Sequence, residues 1–324
     1  MQAIAQQLKN EKDQMRMRNT ILVGDVIKNL KKIPEKSVQT LVTSPPYWGL
    51  RDYGKSEQIG LEPTVDEYVQ HLVDVFKEVK RVLKDDGTIW LNLGDSYWRN
   101  PKRRNQEKGG HAGLHSGRTA ADAMQHKTCD LEEKNLLGIP WRVALALQQN
   151  GWILRCDIVW AKPNPMPESI RDRPTRSHEF IFLLTKQKKY YYDNKSIEEP
   201  SVCDHPSGNG FKREARKTYD GRGNIEKWKP KGTRNKRDVW TVAVRPFKEA
   251  HFAVFPEQLI TPCVLAGSKK GDLVMDIFMG SGTTAVVSQR HGRDFIGIEL
   301  NPAYVDIANK RLNQQSLANF GGAN

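Results

Sequence analysis

The sequence has few cysteines and no long apolar run, and each shortage argues against a class of protein. Its four cysteines, at positions 129, 156, 203 and 263, form no Cys-x-x-Cys pair, so neither a disulfide framework nor a zinc knuckle is indicated. No run approaches the roughly 18 apolar residues of a membrane-spanning helix, and residues 1–18 lack the apolar core of a secretory signal. We therefore expect a soluble, cytoplasmic protein without a membrane partner.

Metal ligands at a useful spacing are also scarce. His126 with Cys129, and Cys203 with His205, each supply only half of a zinc site. We therefore expect no metal.

Acidic residues are outnumbered, because the sequence has 38 Asp and Glu against 51 Lys and Arg, which gives a net charge of +13. Such a balance favours a polyanionic partner, with nucleic acid ahead of an anionic membrane.

The length of 324 residues suits one large α/β domain or two smaller ones. Apolar patterning predicts an alternation of strands and helices, and the strand, helix, strand order of residues 39–93 predicts a right-handed βαβ unit with a parallel sheet. Two further strands could pair in antiparallel fashion at the sheet's edge. The predicted strands are 21–23, 39–42, 88–93, 152–160, 178–185, 273–278 and 295–298; the helices are 26–31, 64–84, 139–149, 255–267, 283–290 and 302–312.

The stretch Thr43-Ser44-Pro45-Pro46-Tyr47-Trp48 follows one of these strands. Each proline lacks an N–H and fixes its φ angle, so the pair predicts a stiff corner whose carbonyl groups are free acceptors. A hydroxyl before the corner and an aromatic face after it would suit an amino group on a flat ring, such as a nucleobase. A Pro-Pro loop with buried aromatic side chains fits these residues equally well.

Two basic regions interrupt the alternation. Residues 98–130 combine Arg103 and Arg104 with Gly, His, Ser and Asn, which is typical of a loop that clamps phosphates or of a solvated insertion. Residues 194–239 lose hydrophobic periodicity and interleave cations with aromatic residues, which favours contact with a nucleic-acid groove over a solubilising insertion. The candidate DNA-binding cations there are Lys212, Arg213, Arg216, Lys217, Arg222, Lys229, Arg234 and Arg237.

A second informative stretch begins at the predicted strand 273–278. It continues into a turn with Gly280 and Gly282, and Glu299 ends the next strand, which is typical of a nucleoside-binding βαβ half. A third glycine is missing, and Asp276 would repel a pyrophosphate but attract an ammonium group. S-adenosylmethionine therefore fits better than a dinucleotide, while an ordinary βαβ turn is the alternative.

With Thr43-Ser44-Pro45-Pro46-Tyr47 and Asp276-Ile277-Phe278-Met279-Gly280-Ser281-Gly282-Thr283-Thr284 both present, residues 20–313 resemble the amino-methyltransferases that modify exocyclic amines in DNA. The catalytic motif precedes the cofactor motif, as in the β-class of that family. The resemblance implies a circularly permuted, Rossmann-like, S-adenosylmethionine-dependent methyltransferase fold with a mostly parallel sheet, an antiparallel edge strand and an inserted basic recognition region.

The resemblance also assigns roles to residues. The amine hydrogens would go to Ser44 and the Pro45 carbonyl, and the flipped base would stack on Tyr47 and, on the DNA side, on Trp48. Asp25, whose other interpretation is a helix cap, would meet the cofactor's adenine, and Glu299 its ribose. The catalytic residues are thus Ser44, Pro45, Pro46 and Tyr47; the cofactor-binding residues are Asp25, Phe255, Pro256, Asp276, Phe278, Gly280, Ser281, Gly282, Thr283 and Glu299.

Serine at position 44 accompanies cytosine-N4 methylation in that family, whereas aspartate there mostly accompanies adenine-N6 methylation. The resemblance thus implies methylation of cytosine N4 in double-stranded DNA of a prokaryote or phage. Adenine-N6 methylation, RNA methylation and DNA binding without activity are the alternatives. A homodimer and a cognate restriction endonuclease are compatible partners. The predicted regions are a leader (1–19), a catalytic part (20–193), a target-recognition insertion (194–240), a cofactor-binding part (241–315) and a tail (316–324).

Overall fold

The computed structural model describes residues 17–50, 54–55, 57–99, 128–201, 218–219, 225–226, 232–245 and 254–321. The strands in chain order are β1 (Thr20–Val23), β2 (Val38–Thr43), β3 (Leu83–Leu93), β4 (Ile153–Ala161), β5 (His178–Thr185), β6 (Glu199–Pro200), β7 (Thr218–Tyr219), β8 (Ile225–Glu226), β9 (Thr233–Arg234), β10 (Val239–Thr241), β11 (Leu273–Asp276) and β12 (Asp294–Glu299). The longer helices are α1 (Val26–Leu30), α2 (Val65–Val82), α3 (Ile139–Gln149), α4 (Glu257–Gly267), α5 (Thr283–Arg290) and α6 (Pro302–Gly321).

An eight-stranded sheet organises these elements in the order β1-β12-β11-β2-β3-β5-β4-β10. Neighbouring strands are parallel except for the two pairs that β5 forms, with β3 and with β4. The predicted mostly parallel sheet is therefore confirmed, as is the antiparallel pairing of β4 with β5. The antiparallel strand does not lie at the edge, however, because β4 and the short strand β10 lie outside it.

Helix α2 shows why the local sequence folds as it does. Thr64 and Glu67 form a capping box, in which the Thr64 hydroxyl accepts from the Glu67 N–H and the Glu67 carboxylate accepts from the Thr64 N–H. Apolar residues at three- and four-residue spacing, such as Tyr68, Leu72 and Phe76, are completely buried. Each such side chain contributes about 1.5 to 3 kcal/mol by leaving water, so this face fixes the helix against the sheet.

One predicted boundary was wrong. A helix was predicted over residues 64–84 and the next strand from residue 88, but helix α2 stops at Val82 and strand β3 already starts at Leu83. The chain passes close to strand β2 there, because a Cβ on Gly87 would lie 2.8 Å from the Gln39 carbonyl oxygen. Leu83 pairs with Val38 of β2, so the strand begins where the helix ends, and the register shifts before the pairing resumes at Thr40 and Thr88.

The predicted recognition insertion is anchored to the rest of the domain at both ends. Just before it, the Asp193 N–H donates to the Ala266 carbonyl in helix α4, and Ile197 near its start is buried. At its end, β10 pairs with β4 and Trp240 is buried against Trp90. Between them, β6 pairs with β9, and β7 with β8.

Several predictions fall on residues outside the described part of the chain. These are most of the leader, most of the loop at 98–130, and the metal half-site residues His126, Cys203 and His205. The predicted domain boundaries therefore stay predictions. In the described part of the chain, no helix is both long and apolar enough to span a bilayer, and no group of His, Cys, Asp and Glu has the arrangement of a metal site.

Candidate active site

A cleft of about 240 Å³ opens at the carboxyl ends of the parallel strands. Such an edge is where α/β sheets bind ligands, because loops after several strands converge there. The cleft brings together all the predicted catalytic residues and most of the predicted cofactor-binding residues. From the predicted set, its lining contains Ser44, Pro45, Pro46, Tyr47, Asp25, Phe255, Phe278, Gly280, Ser281, Thr283 and Glu299.

The predicted catalytic turn directly follows β2. The Tyr47 hydroxyl lies 3.4 Å from the Ser44 hydroxyl, and the Tyr68 hydroxyl donates to the Pro46 carbonyl at 2.9 Å. The expectation that both proline carbonyls are free was therefore wrong for Pro46, because α2 supplies a donor. No described residue donates to the Pro45 carbonyl, which remains an acceptor at the cleft wall.

Trp48 does not have the DNA-contacting position that was predicted for it. Its side chain is 2% exposed, its indole N–H donates to the Glu62 carbonyl at 2.8 Å, and its ring stacks on Trp98 with centroids 6.1 Å apart. An indole that is enclosed on these sides cannot also stack on a base. Trp48 instead supports the turn from behind.

The part of the cleft around Gly280, Gly282 and Glu299 is called the cofactor half. The conformation and packing of its glycine turn are possible because glycine has no side chain. Gly280 and Gly282 have φ angles of +52° and +82°, in the left-handed region. A Cβ on Gly282 would lie only 2.7 Å from the Ala308 Cβ, so helix α6 packs directly on the turn. The Gly280 N–H donates to the Glu299 carboxylate at 2.8 Å and thereby fixes the turn beside it.

Glu299 is half-buried at the end of β12. One carboxylate oxygen accepts from Gly280 and the other from the Asn301 N–H, also at 2.8 Å. Burial raises the pKa of Glu299, and these two backbone hydrogen bonds oppose the rise. A carboxylate has about four acceptor positions, so one remains on each oxygen for a ligand with two neighbouring hydroxyl groups.

Asp276, which was predicted to bind the cofactor, lies behind the cleft and not in its lining. It is 1% exposed, and its carboxylate accepts from the hydroxyls of Thr43 at 2.6 Å and Thr284 at 2.7 Å, and from the Phe278 N–H at 3.1 Å. Burial raises the pKa of Asp276 to about 6, although these three hydrogen bonds lower it. The carboxyl group therefore joins β2, β11 and α5 behind the cleft instead of attracting a cation within it.

Asp25 caps a helix and lies at the cleft, so its predicted contact with the cofactor's adenine stays a prediction. Its carboxylate accepts from the Lys28 N–H at 2.8 Å and so caps α1, and its side chain also lines the cleft. Phe255 and Phe278 add apolar walls. Pro256 lies outside the lining and precedes the first residue of α4.

The part of the cleft around the catalytic turn, where a base would bind, is called the base half. Sequence analysis did not identify three of its polar residues. Asn92, Lys162 and Glu179 line the cleft next to the catalytic turn. The Glu179 carboxylate accepts from the Tyr47 hydroxyl at 2.8 Å and from the Asn92 amide at 3.1 Å, and it pairs with the Lys162 ammonium group. A glutamate in an otherwise apolar strand was the available signal, because charged residues are rarely buried without a partner.

The environment of Tyr47 keeps it protonated. Burial raises the pKa of this phenol well above its usual value, and the nearby Glu179 carboxylate raises it further. Tyr47 is therefore a neutral ring with a hydrogen-bond donor, not a base.

The predicted DNA-binding cations are only partly visible. Arg234 and Arg237 both pair with Glu199, at 2.9 and 2.7 Å; the Arg237 side chain remains 66% exposed. The other eight predicted cations, Arg103, Arg104, Lys212, Arg213, Arg216, Lys217, Arg222 and Lys229, lie outside the described residues.

Comparisons with known proteins connect this geometry to a family. Residues 38–310 match the N6/N4 methyltransferase family model described as DNA methylase. The type II methyltransferase M.Cfr9I of Citrobacter freundii is 48% identical over 300 residues, which cover 90% of this chain and 87% of that protein. The type II methyltransferase M.SmaI of Serratia marcescens is 45% identical over 302 residues, covering 90% of each.

Solved structures share the fold at lower sequence identity. The PvuII DNA methyltransferase, described as cytosine-N4-specific, matches with a TM-score of 0.61 and 20% identity, over 91% of this chain and 86% of that chain. TTHA0409 of Thermus thermophilus, complexed with S-adenosyl-L-methionine, matches with a TM-score of 0.54 and 22% identity, over 91% and 95%. These matches confirm the predicted α/β methyltransferase fold.

Proposed function

Because the chain belongs to the N6/N4 family of DNA methylases, we propose that it methylates the exocyclic N4 amine of a cytosine that has left the stack of duplex DNA. The coarser activity, DNA methylation with S-adenosylmethionine as cofactor, follows from the family. The base and the roles of individual residues belong to the proposal. Its main support is Ser44, a neutral acceptor where an adenine-specific relative would mostly carry an aspartate.

The cofactor half of the cleft fits S-adenosylmethionine. The left-handed glycine turn exposes backbone to a ligand, and Glu299 keeps two acceptor positions for ribose hydroxyls. Asp25 offers a carboxylate to an adenine amine, and Phe255 and Phe278 supply apolar walls. When bound, the cofactor supplies an electrophilic methyl group.

The catalytic turn activates the amine by accepting its hydrogens. The lone pair of cytosine N4 is delocalised into the ring, so the amine is a poor nucleophile. Acceptors at Ser44 Oγ and the Pro45 carbonyl oxygen draw the amine toward tetrahedral geometry and help to remove its proton. The Tyr68 hydroxyl holds the neighbouring Pro46 carbonyl, so the turn keeps its shape during this step.

Tyr47 offsets part of the cost of extruding the base. Leaving the stack costs a few kcal/mol, and an aromatic ring returns about 1 to 3 kcal/mol by stacking. The raised pKa of Tyr47 keeps the ring uncharged at neutral pH. Because Trp48 is enclosed, we assign the stacking role to Tyr47 alone.

DNA is held by the positive charge of the chain. The exposed guanidinium group of Arg237 and the cations of residues 194–239 are proposed to contact phosphates and the groove. The relatives are named as type II methyltransferases, which supports a role in restriction and modification. A cognate endonuclease and a homodimer stay predictions.

The proposal is tested by identifying the product. Mixed-sequence duplex DNA is incubated with the protein and methyl-labelled S-adenosylmethionine, then digested to nucleosides. We expect labelled N4-methyldeoxycytidine. N6-methyldeoxyadenosine as the only labelled product would overturn the assignment to cytosine. A parallel incubation with RNA tests the nucleic acid itself, because RNA that takes up more label than DNA would contradict a DNA substrate.

A further inference from the structure

The pair formed by Lys162 and Glu179 lies beside the catalytic turn. Strands β4 and β5 are antiparallel and place Trp160 opposite Glu179, so Lys162, just after β4, meets Glu179 at the edge that carries Ser44. Both side chains are largely buried, with 17% and 16% exposure. The two residues line the cleft together with Ser44 and Tyr47.

The Glu179 carboxylate already has enough donors. One oxygen accepts from Lys162, and the other accepts from the Tyr47 hydroxyl and the Asn92 amide. Its negative charge is balanced by the ammonium group. Glu179 is therefore poorly placed to take a proton from a substrate amine and well placed to orient Lys162 and Tyr47.

Lys162 has donors to spare. An ammonium group carries three N–H bonds, and Glu179 is the one acceptor for them among the residues that the structure describes. The ammonium group also lies 4.3 Å from the centroid of the Trp160 ring. The ring excludes water from that side of the ammonium group. Donors in a largely buried position need acceptors, and a bound base can supply them.

Cytosine and adenine differ along the edge that carries the reactive amine. Along the edge that begins with the reactive amine, cytosine presents N4, N3 and the O2 carbonyl, whereas adenine presents N6, N1 and a C2–H group. A donor aimed at the third position finds an acceptor on cytosine and a hydrogen on adenine. A buried donor left without an acceptor disfavours the wrong base.

We propose that Lys162 donates a hydrogen bond to O2 of the flipped cytosine and thereby selects this base, with Glu179 as the positioning residue. This inference rests on the proposed cytosine-N4 activity. It assigns base selection to a cation that lies far from Ser44 in the sequence. Ser44 itself then needs to contribute little to the discrimination between cytosine and adenine.

The test combines a protein variant with an altered base. The substrates are two duplexes with the target site identified by sequencing methylated DNA, one with cytosine and one with 2-thiocytosine, whose sulfur is a poorer acceptor than O2. For the wild-type protein, kcat/KM should fall about tenfold or more on the thio duplex. Lys162→Met should lose about 10- to 100-fold on cytosine and treat both duplexes alike.

Lys186→Met is the matched control, because Lys186 is also a largely buried lysine paired with an aspartate, at the opposite end of β5. It should keep the wild-type preference for cytosine over 2-thiocytosine. Glu179→Gln should weaken that preference while its affinity for S-adenosylmethionine, which reports an intact cleft, stays close to wild type. This pattern separates a positioning role from loss of the fold.

Two failures are distinguishable. Methyladenine as the wild-type product overturns the proposed function and this inference with it. N4-methylcytosine as the product, with Lys162→Met retaining wild-type kcat/KM and the full preference for O2, overturns this inference alone. If Lys162→Met does not fold, the same comparison is made with Glu179→Gln, and an unchanged preference for O2 then contradicts the proposal.

Discussion

The two halves of the cleft are built in different ways. The cofactor half consists of chain segments that follow β1, β11 and β12, and its polar groups are largely backbone N–H groups held by carboxylates, as with Gly280 and Glu299. The base half is a side-chain network in which Tyr47, Asn92, Lys162 and Glu179 come from four separate places in the sequence. Binding a common cofactor therefore depends on loop shape, whereas choosing a base depends on side chains.

Because the two halves of the cleft are built differently, mutations in them should have different effects. Changes in the base half should reduce turnover or alter base choice while cofactor affinity is retained. Changes behind the glycine turn should act on stability or cofactor affinity. Each variant below tests whether the two halves are as independent as their construction suggests.

Ser44→Ala should have the largest effect. It removes one of two proposed acceptors for the reacting amine, so we expect kcat to fall about 100- to 1,000-fold. Single-turnover methylation with labelled S-adenosylmethionine measures this loss, and cofactor and DNA affinities should be close to wild type. Ser37→Ala, which removes a buried hydroxyl bonded to the Pro34 carbonyl, is the control. Unchanged turnover of Ser44→Ala would defeat the proposed mechanism.

Asp276→Asn should change the pH dependence of stability. The pKa of Asp276 is about 6 in the folded protein, against 3.8 for an exposed aspartate. Between these pH values the folded state holds a proton that the unfolded state has lost, so the free energy of unfolding falls as pH rises. This contribution is present below about pH 4 and lost above about pH 6, a change of about 3 kcal/mol at 1.4 kcal/mol per pH unit.

Urea unfolding between pH 4 and 7 measures that change. The difference between wild type and Asp276→Asn should fall with rising pH, because the amide cannot titrate. Asp85→Asn should show no such fall between pH 4 and 7, because hydrogen bonds from Lys36 and Lys186 lower the pKa of Asp85 and confine its titration to more acidic pH. A large loss of cofactor affinity in Asp276→Asn, with no altered slope, would contradict the buried structural role and indicate that Asp276 binds the cofactor.

The cofactor half was largely predictable because its signals are contiguous. The strand, the glycine pair and Glu299 lie within residues 273–299, and helix α5 of the same stretch was located to the residue. The place of Asp276 was not predictable, because its partner Thr43 is 233 residues away. An acid at the end of a strand looks the same in sequence whether it meets a ligand or a buried hydroxyl.

The base half was predictable only at its turn. The Ser-Pro-Pro-Tyr stretch is local, but Lys162 and Glu179 meet only because β4 and β5 pair in one antiparallel register. Trp48 illustrates the same limit, since its burial depends on the packing of Trp98 and on the Glu62 carbonyl. Apolar pattern predicts which strands exist, whereas side-chain networks depend on which strands become neighbours.

Gly282→Ala tests whether helix α6 fixes the glycine turn. A side chain at φ +82° costs about 1 kcal/mol, and its Cβ would also lie 2.7 Å from Ala308. Gly271→Ala has the same backbone cost at φ +81°, but no atom lies within 4 Å of its Cβ. We expect urea unfolding to give a loss of about 1 kcal/mol for Gly271→Ala and about 2 to 3 kcal/mol for Gly282→Ala.

Cofactor affinity extends this comparison. Isothermal titration with S-adenosylmethionine should show weaker binding for Gly282→Ala and unchanged binding for Gly271→Ala. Equal losses of stability in the two variants would contradict a tight contact with Ala308. Unchanged affinity in Gly282→Ala would mean that the turn does not shape the cofactor half.

Tyr47→Phe should have a small effect on turnover and sharpens the description of the base half. It keeps the aromatic face but removes the hydroxyl that donates to Glu179. Since one hydrogen bond is lost while Asn92 and Lys162 still hold the carboxylate, kcat/KM should fall about fivefold to tenfold.

Tyr68→Phe is the matched variant, because it instead frees the Pro46 carbonyl. It should cost about 1 kcal/mol of stability with a smaller loss of turnover than Tyr47→Phe. Steady-state methylation and urea unfolding distinguish the two variants. A larger loss of turnover in Tyr68→Phe than in Tyr47→Phe would mean that the backbone shape of the turn, rather than the side-chain network, dominates the base half, and the two halves of the cleft would then work in the same way.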